Sequence, residues 1–214
     1  MVIRLVFLFL FPLMVAAQDP SRFGEEIRQL TSGDDTVDTE DLVLFTGSSS
    51  IRMWKDVANC FGGNNVLNRG FGGSQMSDLV YYYDKLIEPY NPEMIFIYEG
   101  DNDISANKTV DEILGDAENL LLKIRRNLPS AVKVAFISPK PSIARAHLKE
   151  KYVAYNAALK EWAAEQKNVL FIDVWTPMLD SNSEVMKDIF LDDGLHMNSK
   201  GYAIWTRVIM PFMP

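Results

Sequence analysis

The chain has 214 residues, with 21 Lys and Arg against 29 Asp and Glu, so its formal net charge is −8. This length suits one domain or two very small ones. The negative charge argues against a nucleic-acid-binding protein and provides no basic patch for an anionic membrane surface. A single Cys cannot form an internal disulfide, and two His residues without a Cys/His cluster do not make a zinc site.

Residues 1–17 are predicted to be a secretory signal peptide. Arg4 precedes an apolar run from Leu5 to Ala17, and the small residues at its end fit cleavage after Ala17. The run of 13 residues is shorter than the roughly 20 that a membrane-spanning helix needs. A buried helix or an uncleaved anchor is the alternative. The mature chain, residues 18–214, is therefore expected to be one secreted or periplasmic domain that does not stay inserted in a membrane.

Short apolar runs alternate with helical patterns along the mature chain. Strands are predicted at residues 42–46, 65–68, 94–98, 132–137 and 169–172. Helices are predicted over residues 20–30, 76–87, 110–128, 146–166 and 198–209, with another starting at 51–54. This alternation implies an α/β fold with a parallel sheet covered by helices on both faces. Ligands of such sheets bind beyond the carboxyl ends of the strands.

Two small-residue segments lie at predicted strand ends. The first, Gly47 to Ser50, presents serines between a buried strand and a helix, whose N–H groups favour developing negative charge. The residues alone do not show which of the three serines would be the nucleophile. A Ser-rich helix cap without a catalytic role is an equal alternative for this segment. In the second segment, the N–H of Gly73 could approach an oxyanion closely because no side chain obstructs it; a simple turn is the alternative there.

Two further segments carry polar side chains suited to acyl transfer. Asn102 follows the third strand and offers an amide as an oxyanion donor, although a loop of turn-forming residues is as good an interpretation. Asp193 stands three residues before His196, which lets the carboxylate accept from one ring nitrogen while the other faces a serine. A capping Asp next to a His without a catalytic role is the alternative. His147, the second histidine, is predicted to be exposed on a helix. Asp101 and Asp103 would be the residues of an alternative cation site, but no metal is expected because no complete calcium loop or His ligand accompanies them.

Together these segments resemble the four sequence blocks of the SGNH (GDSL-type) hydrolase superfamily, in the family's order. The residues that carry the resemblance are Gly47-Ser48-Ser49, Asn68 to Gly73, Gly100 to Asp103, and Asp193 to His196. The stretch from Phe45 to Trp54 also resembles a bacterial branch with the sequence Gly-Ser-Ser-Ser-Ile-Arg. Ser48 stands where the family has Asp, a position expected to support the turn.

The resemblance implies a flavodoxin-like, three-layer α/β/α sandwich with about five parallel strands. It implies that Ser49 is the nucleophile, His196 the base and Asp193 its partner. The implied oxyanion hole comprises the N–H groups of Ser49 and Gly73 and the side-chain amide of Asn102. No metal or cofactor takes part in this mechanism.

The predicted function is that of a secreted serine esterase acting on short acyl esters, with acetyl groups on carbohydrate as one candidate. The chain has no insertion long enough for a large lid, which favours short acyl groups. The alternatives are a lysophospholipase or thioesterase for longer acyl chains, and a non-catalytic binding module with the same fold. Tyr81 to Tyr83, Trp54 and Met178 either pack in the core or line a sugar or acyl site. The predicted partner is a small-molecule or carbohydrate ester and no nucleic acid; no oligomeric state is predicted.

Overall fold

A five-stranded, wholly parallel sheet forms the centre of the structure, a computed structural model that describes residues 19–214. The predicted signal segment, residues 1–17, lies outside the described residues. The strands are β1 (Leu42–Gly47), β2 (Asn65–Gly70), β3 (Met94–Tyr98), β4 (Lys133–Ile137) and β5 (Val169–Ile172). Their order is β2-β1-β3-β4-β5. Gly47 is in register with both Gly70 and Tyr98, so the carboxyl ends of three strands meet at one edge of the sheet.

Helices connect the strands and cover the sheet. They are α1 (Gly24–Leu30), α2 (Ser49–Arg52), α3 (Val57–Cys60), α4 (Met76–Tyr81), α5 (Tyr83–Leu86), α6 (Asp101–Ser105), α7 (Val110–Asn127), α8 (Lys149–Ala164) and α9 (Ser199–Ile209). Short 3₁₀ turns lie at Pro20–Phe23, Asp34–Thr36, Glu88–Tyr90, Ala146–Leu148, Thr176–Met178 and Met210–Phe212. The side chain of Asn198 caps α9 by accepting from the first-turn N–H groups of Lys200 and Gly201, which fixes where the last helix starts after the preceding loop.

The core consists of two apolar layers, one on each face of the sheet. Alternate strand residues point to opposite faces, so Leu44 packs with the layer formed by α1, α4, α5, α7 and α8. Phe45 packs with the layer formed by α2, α3 and α9. All residues of β1 and β3 are buried, as expected for central strands covered on both sides. The predicted three-layer α/β/α sandwich with five parallel strands is confirmed.

Two of the local differences from the sequence prediction concern α4 to α6. The helix predicted over residues 76–87 is interrupted at Tyr82, where α4 ends and α5 starts. The short helix α6 was not predicted, because its residues are turn formers and its length gives no periodic pattern.

Of the aromatic and sulfur side chains considered for a ligand site, all but Tyr81 pack in the core. Trp54, Tyr83 and Met178 are almost completely buried there, whereas Tyr81 is 56% exposed on the surface. Within the described range, none of the helices combines the length and apolar character needed to cross a bilayer.

Candidate active site

The turn from β1 into α2 presents one serine at the carboxyl edge of the sheet. Gly47 has φ = 120°, and a Cβ on it would lie 2.1 Å from the carbonyl oxygen of Tyr98 on the adjacent strand. Only glycine fits this left-handed turn against a neighbouring backbone. Ser48 and Ser50 on either side are buried, and Ser49 between them is half-buried. The local fold therefore separates three serines that the sequence did not distinguish.

The imidazole of His196 lies between Ser49 and Asp193. Its Nε2 is 3.1 Å from Ser49 Oγ, and its Nδ1 is 2.6 Å from Asp193 Oδ2. The other carboxylate oxygen of Asp193 accepts from the backbone N–H groups of Leu195 and His196, both at 2.9 Å. Asp193 thus orients both the ring and its loop, and a proton on Nδ1 leaves Nε2 free to accept from the serine hydroxyl.

Asp193 remains a carboxylate over a wide pH range. The hydrogen bond from His196 is the largest cause of its lowered pKa. Together with the hydrogen bonds from the two backbone N–H groups, it lowers the pKa of Asp193 to about 2. The side chains of Asp193 and His196 are 47% and 25% exposed. The positions of Asp193 and His196 are therefore fixed by short-range hydrogen bonds and not by burial.

The loop after β2 carries a free backbone donor at Gly73. This residue has φ = 76°, and no atom lies within 4 Å of the position its Cβ would occupy. Within residues 19–214, the N–H of Gly73 donates to no acceptor. The neighbouring N–H of Gly72 donates to Glu26 Oε1 at 3.1 Å, and Arg52 Nε is 2.9 Å from the same oxygen. The N-terminal helix α1 and the serine helix α2 thus hold this loop in place.

The amide of Asn102, at the start of α6, lies beside the serine turn. Its Nδ2 donates to Ser48 Oγ at 2.7 Å and to the carbonyl of Ser74 at 2.8 Å. Its Oδ1 accepts from Nη2 of Arg145 at 2.9 Å. Ser48 was expected only to support the turn, and the structure adds a direct contact with the amide. Arg145 was missed, because it lies in a segment with no pattern that marks a site.

A buried polar cluster lies beneath Asn102. Burial alone would raise the pKa of Asp101, but the nearby cations Lys140 and Arg145 lower it to about 2. Burial and the nearby carboxylate of Asp103 raise the pKa of Glu99 well above its usual value. Glu99 Oε1 is 2.6 Å from Ser74 Oγ, which links this acid to the residue whose carbonyl holds the Asn102 amide.

A small polar pocket opens beside these donors. Its volume is about 230 Å³, and its lining includes Gly73, Asn102 and Arg145. His147 is exposed on the 3₁₀ turn before α8, and the imidazole beside Ser49 is that of His196. Among the residues of the described range, no group of three or more His, Cys, Asp or Glu could hold a metal ion.

The fold thus brings a serine, a histidine and a carboxylate together at the carboxyl edge of a parallel sheet. The model of the GDSL-like Lipase/Acylhydrolase family matches residues 31–204. The chain therefore belongs to this family and is a carboxylic ester hydrolase. No curated protein matches the sequence at a significant level.

Solved structures share the same fold at low sequence identity. A Streptococcus pneumoniae protein provisionally called a platelet activating factor is 22% identical, with a TM-score of 0.79 over 91% of this chain and 92% of that chain. A GDSL-like lipase from Bacteroides thetaiotaomicron is 21% identical, with a TM-score of 0.72 over 91% and 97%. A catalytic mutant of an acetylxylan esterase from Geobacillus stearothermophilus is 17% identical, with a TM-score of 0.69 over 81% and 94%.

Proposed function

We propose that the protein is a secreted serine esterase that hydrolyses short-chain acyl esters. The observation that carries this proposal is the imidazole of His196, which is 3.1 Å from Ser49 Oγ and 2.6 Å from Asp193 Oδ2. The base is thus within hydrogen-bond reach of both the nucleophile and the orienting carboxylate, as nucleophilic catalysis requires. Export is proposed from the apolar N-terminal segment, residues 1–17.

The reaction proceeds through an acyl-enzyme. His196 Nε2 takes the hydroxyl proton of Ser49 as Oγ forms a bond to the ester carbonyl carbon. The carbonyl π electrons move to its oxygen, which accepts hydrogen bonds from the N–H groups of Ser49 and Gly73 and from Asn102 Nδ2. When the carbonyl re-forms, the bond to the alcohol oxygen breaks and His196 gives this oxygen the proton.

Water completes the cycle by the same route. His196 takes a proton from water as the water oxygen attacks the acyl carbon, and the bond to Ser49 Oγ breaks as the proton returns to that oxygen. The products are a carboxylic acid and the free enzyme. The low pKa of Asp193, about 2, keeps a negative charge beside the imidazolium that forms in both steps.

Short acyl groups are supported by the pocket beside the oxyanion donors. The leaving alcohol must lie next to His196, which protonates it, and the carbonyl oxygen must lie at the Gly73 and Asn102 donors, so the acyl carbon lies between His196 and the pocket that these two residues line. The pocket there holds about 230 Å³ and is lined by amide, hydroxyl and guanidinium groups. A long alkyl chain in it would desolvate these polar groups without hydrogen bonds to replace the water. The shared fold with an acetylxylan esterase is compatible with acetyl groups on carbohydrate as the substrate.

The test measures hydrolysis of p-nitrophenyl esters with two to sixteen acyl carbons, and release of acetate from acetylated xylooligosaccharides. Activity is expected to fall with acyl length and to be lost in Ser49→Ala, by about 10⁴-fold or more in kcat. Ser50→Ala is the matched control, because Ser50 is the adjacent serine and is buried, whereas the imidazole contacts Ser49. Full activity in Ser49→Ala would contradict the nucleophile assignment. A maximum at long acyl chains would favour a lysophospholipase or thioesterase, and no activity on any ester would favour a binding module.

A further inference from the structure

The orientation of the Asn102 amide is decided by its partners and not by its shape. The two ends of a side-chain amide are nearly equal in size, so a half-turn exchanges donor and acceptor at little steric cost. In this structure Nδ2 faces two acceptors, Ser48 Oγ and the Ser74 carbonyl, and Oδ1 faces one donor, Arg145 Nη2. A flipped amide would turn its oxygen toward the developing oxyanion and repel it.

Both hydrogens of Nδ2 already have acceptors, at 2.7 Å and 2.8 Å. Donation to an oxyanion therefore requires the amide to turn slightly so that one hydrogen is shared with the ester oxygen. A hydrogen bond that holds Oδ1 allows this small turn and prevents the half-turn. Arg145 supplies that hydrogen bond from a separate part of the chain, the segment between β4 and α8.

Arg145 is itself held firmly. Its Nη1 donates to the backbone carbonyl of Asp101 at 2.9 Å and to Asp101 Oδ1 at 2.5 Å. The same carboxylate accepts from the hydroxyl groups of Tyr98 and Tyr152. The Arg145 side chain is only 16% exposed, and the nearby Asp101 and Tyr152 raise its pKa further despite burial, so the cation persists at any working pH.

The guanidinium group spans two neighbouring residues at once, with Nη1 on Asp101 and Nη2 on Asn102. A lysine ammonium is a single point of contact and cannot reproduce this planar fork. We propose that Arg145 is a positioning residue of the oxyanion hole, whose guanidinium holds Asn102 Oδ1 so that Nδ2 faces the ester carbonyl. This inference rests on the proposed function and adds a residue that acts on the oxyanion through Asn102.

The test is a double-mutant cycle with Arg145→Lys and Asn102→Ala, followed by kcat and KM on p-nitrophenyl acetate. Arg145→Lys keeps a cation beside Asp101 and removes the fork. We expect it to lower kcat by about 10- to 100-fold, which is no more than the fall in kcat caused by removing a whole oxyanion donor. KM should change by less than about threefold. In the Asn102→Ala background the same substitution should lower kcat by no more than about twofold, because the group it positions is gone.

Arg125→Lys is the matched control. Arg125 also donates to two acceptors, the backbone carbonyls of Val132 and Lys167, but it lies on α7 and does not line the candidate site. Its replacement should leave kcat and KM unchanged. If Arg145→Lys does not fold, judged by its thermal unfolding, Arg145→Gln is measured in the same cycle with the same expected non-additivity.

Two results would overturn the inference. An equal fall in kcat in both backgrounds would show that Arg145 acts independently of Asn102. A raised KM with unchanged kcat would show that Arg145 binds substrate directly. These outcomes differ from a failure of the proposed function, which would appear as full activity in Ser49→Ala or as no ester hydrolysis by the wild type.

Discussion

Asp193 and Asp101 have the same low pKa, about 2, in two different regions of the candidate active site. Asp193 belongs to the loop that carries His196, and its side chain is 47% exposed. Asp101 belongs to the cluster beneath Asn102, and its side chain is 7% exposed. A lowered pKa alone therefore does not tell which carboxylate takes part in chemistry and which one maintains structure.

The two carboxylates differ in what causes their pKa shifts, and this difference distinguishes their roles. Hydrogen bonds from His196 and two backbone N–H groups stabilise the Asp193 carboxylate while water still reaches it. Burial raises the pKa of Asp101, but two nearby cations, Lys140 and Arg145, lower it by more. The exposed carboxylate can be replaced with little loss of packing, whereas replacement of the buried one leaves two cations without their partner.

This contrast indicates how the two halves of the site are built. The acid–base side is held by contacts within one short loop, between residues three apart in sequence. The oxyanion side is held by contacts between segments far apart in sequence, such as Arg145 with Asn102, which are 43 positions apart. Substitutions on the acid–base side should therefore lower kcat alone. Substitutions on the oxyanion side should lower the stability of the fold as well as kcat.

The largest expected effect is that of Asp193→Asn on turnover. An amide N–H facing Nδ1 would reverse the tautomer of His196, so that Nε2 carries the proton and cannot accept one from Ser49. We expect kcat to fall by about 10⁴-fold, with the thermal unfolding midpoint nearly unchanged because the side chain is exposed. The measurement is ester hydrolysis with a thermal melt on the same sample.

Asp192→Asn is the control for this substitution. Asp192 is the adjacent exposed aspartate and should keep full activity when replaced. A fall in kcat of less than about tenfold for Asp193→Asn would show that another group orients the imidazole.

Asp101→Asn should act mainly on stability. Removing one partner from a buried ion pair costs about 3–5 kcal/mol, so we expect the free energy of unfolding at pH 7 to fall by this amount. The folded pKa of Asp101, about 2, lies below the unfolded value of about 3.9. The carboxylate therefore contributes stability above about pH 4 and loses it as the pH falls toward 2. Urea unfolding at several pH values should show the gap between variant and wild type narrowing in this interval.

Asp188→Asn is the matched control, since Asp188 pairs with Lys200 at 2.8 Å while both side chains are about two-thirds exposed, at 67% and 66%. It should leave the urea midpoint nearly unchanged. A similar small effect for Asp101→Asn would mean that the buried cluster does not stabilise the fold.

The sequence predicted those parts of the site that depend on strand ends or short spacing. Parallel strands bring their carboxyl ends to one edge, so the segments after β1, β2 and β3 could be expected to meet. The spacing of Asp193 and His196 predicted their pairing for the same local reason. The side-chain contacts of Ser48 and Arg145 with Asn102 could not be predicted, because they join residues 54 and 43 positions apart and depend on how loops fold over the sheet edge.

The buried acid Glu99 shows the same limit. It ends the β3 segment in the sequence, where a charged residue is ordinarily taken as exposed, yet it is 1% exposed in the structure. No local pattern marks its contact with Ser74, 25 positions away. Its burial follows from the way the loop after β2 packs over the end of β3.

The smallest expected effect on turnover is that of Glu99→Gln. The contribution of Glu99 to stability depends on pH with the opposite sign to that of Asp101. Burial and then Asp103 raise the pKa of Glu99 well above 4.5, so the folded state holds a proton that the unfolded state releases above about pH 4.3. Wild-type stability should therefore fall as the pH rises from 4 to 8 through this group, and the neutral glutamine removes that loss. We expect Glu99→Gln to gain stability relative to wild type over this rise, with kcat within about threefold because a neutral side chain remains beside Ser74.

Glu112→Gln provides the opposing control. Hydrogen bonds from Thr109 lower the pKa of Glu112, so its carboxylate favours the folded state above the unfolded pKa, and the variant should lose stability relative to wild type as the pH rises from 4. Urea unfolding of both variants at matched pH values makes the comparison. If Glu99→Gln lost relative stability with rising pH, as Glu112→Gln should, Glu99 would be ionised in the folded protein. The cluster beneath Asn102 would then hold one more negative charge, and the hydrogen bond from Ser74 would outweigh the effects of burial and of Asp103 on the pKa of Glu99.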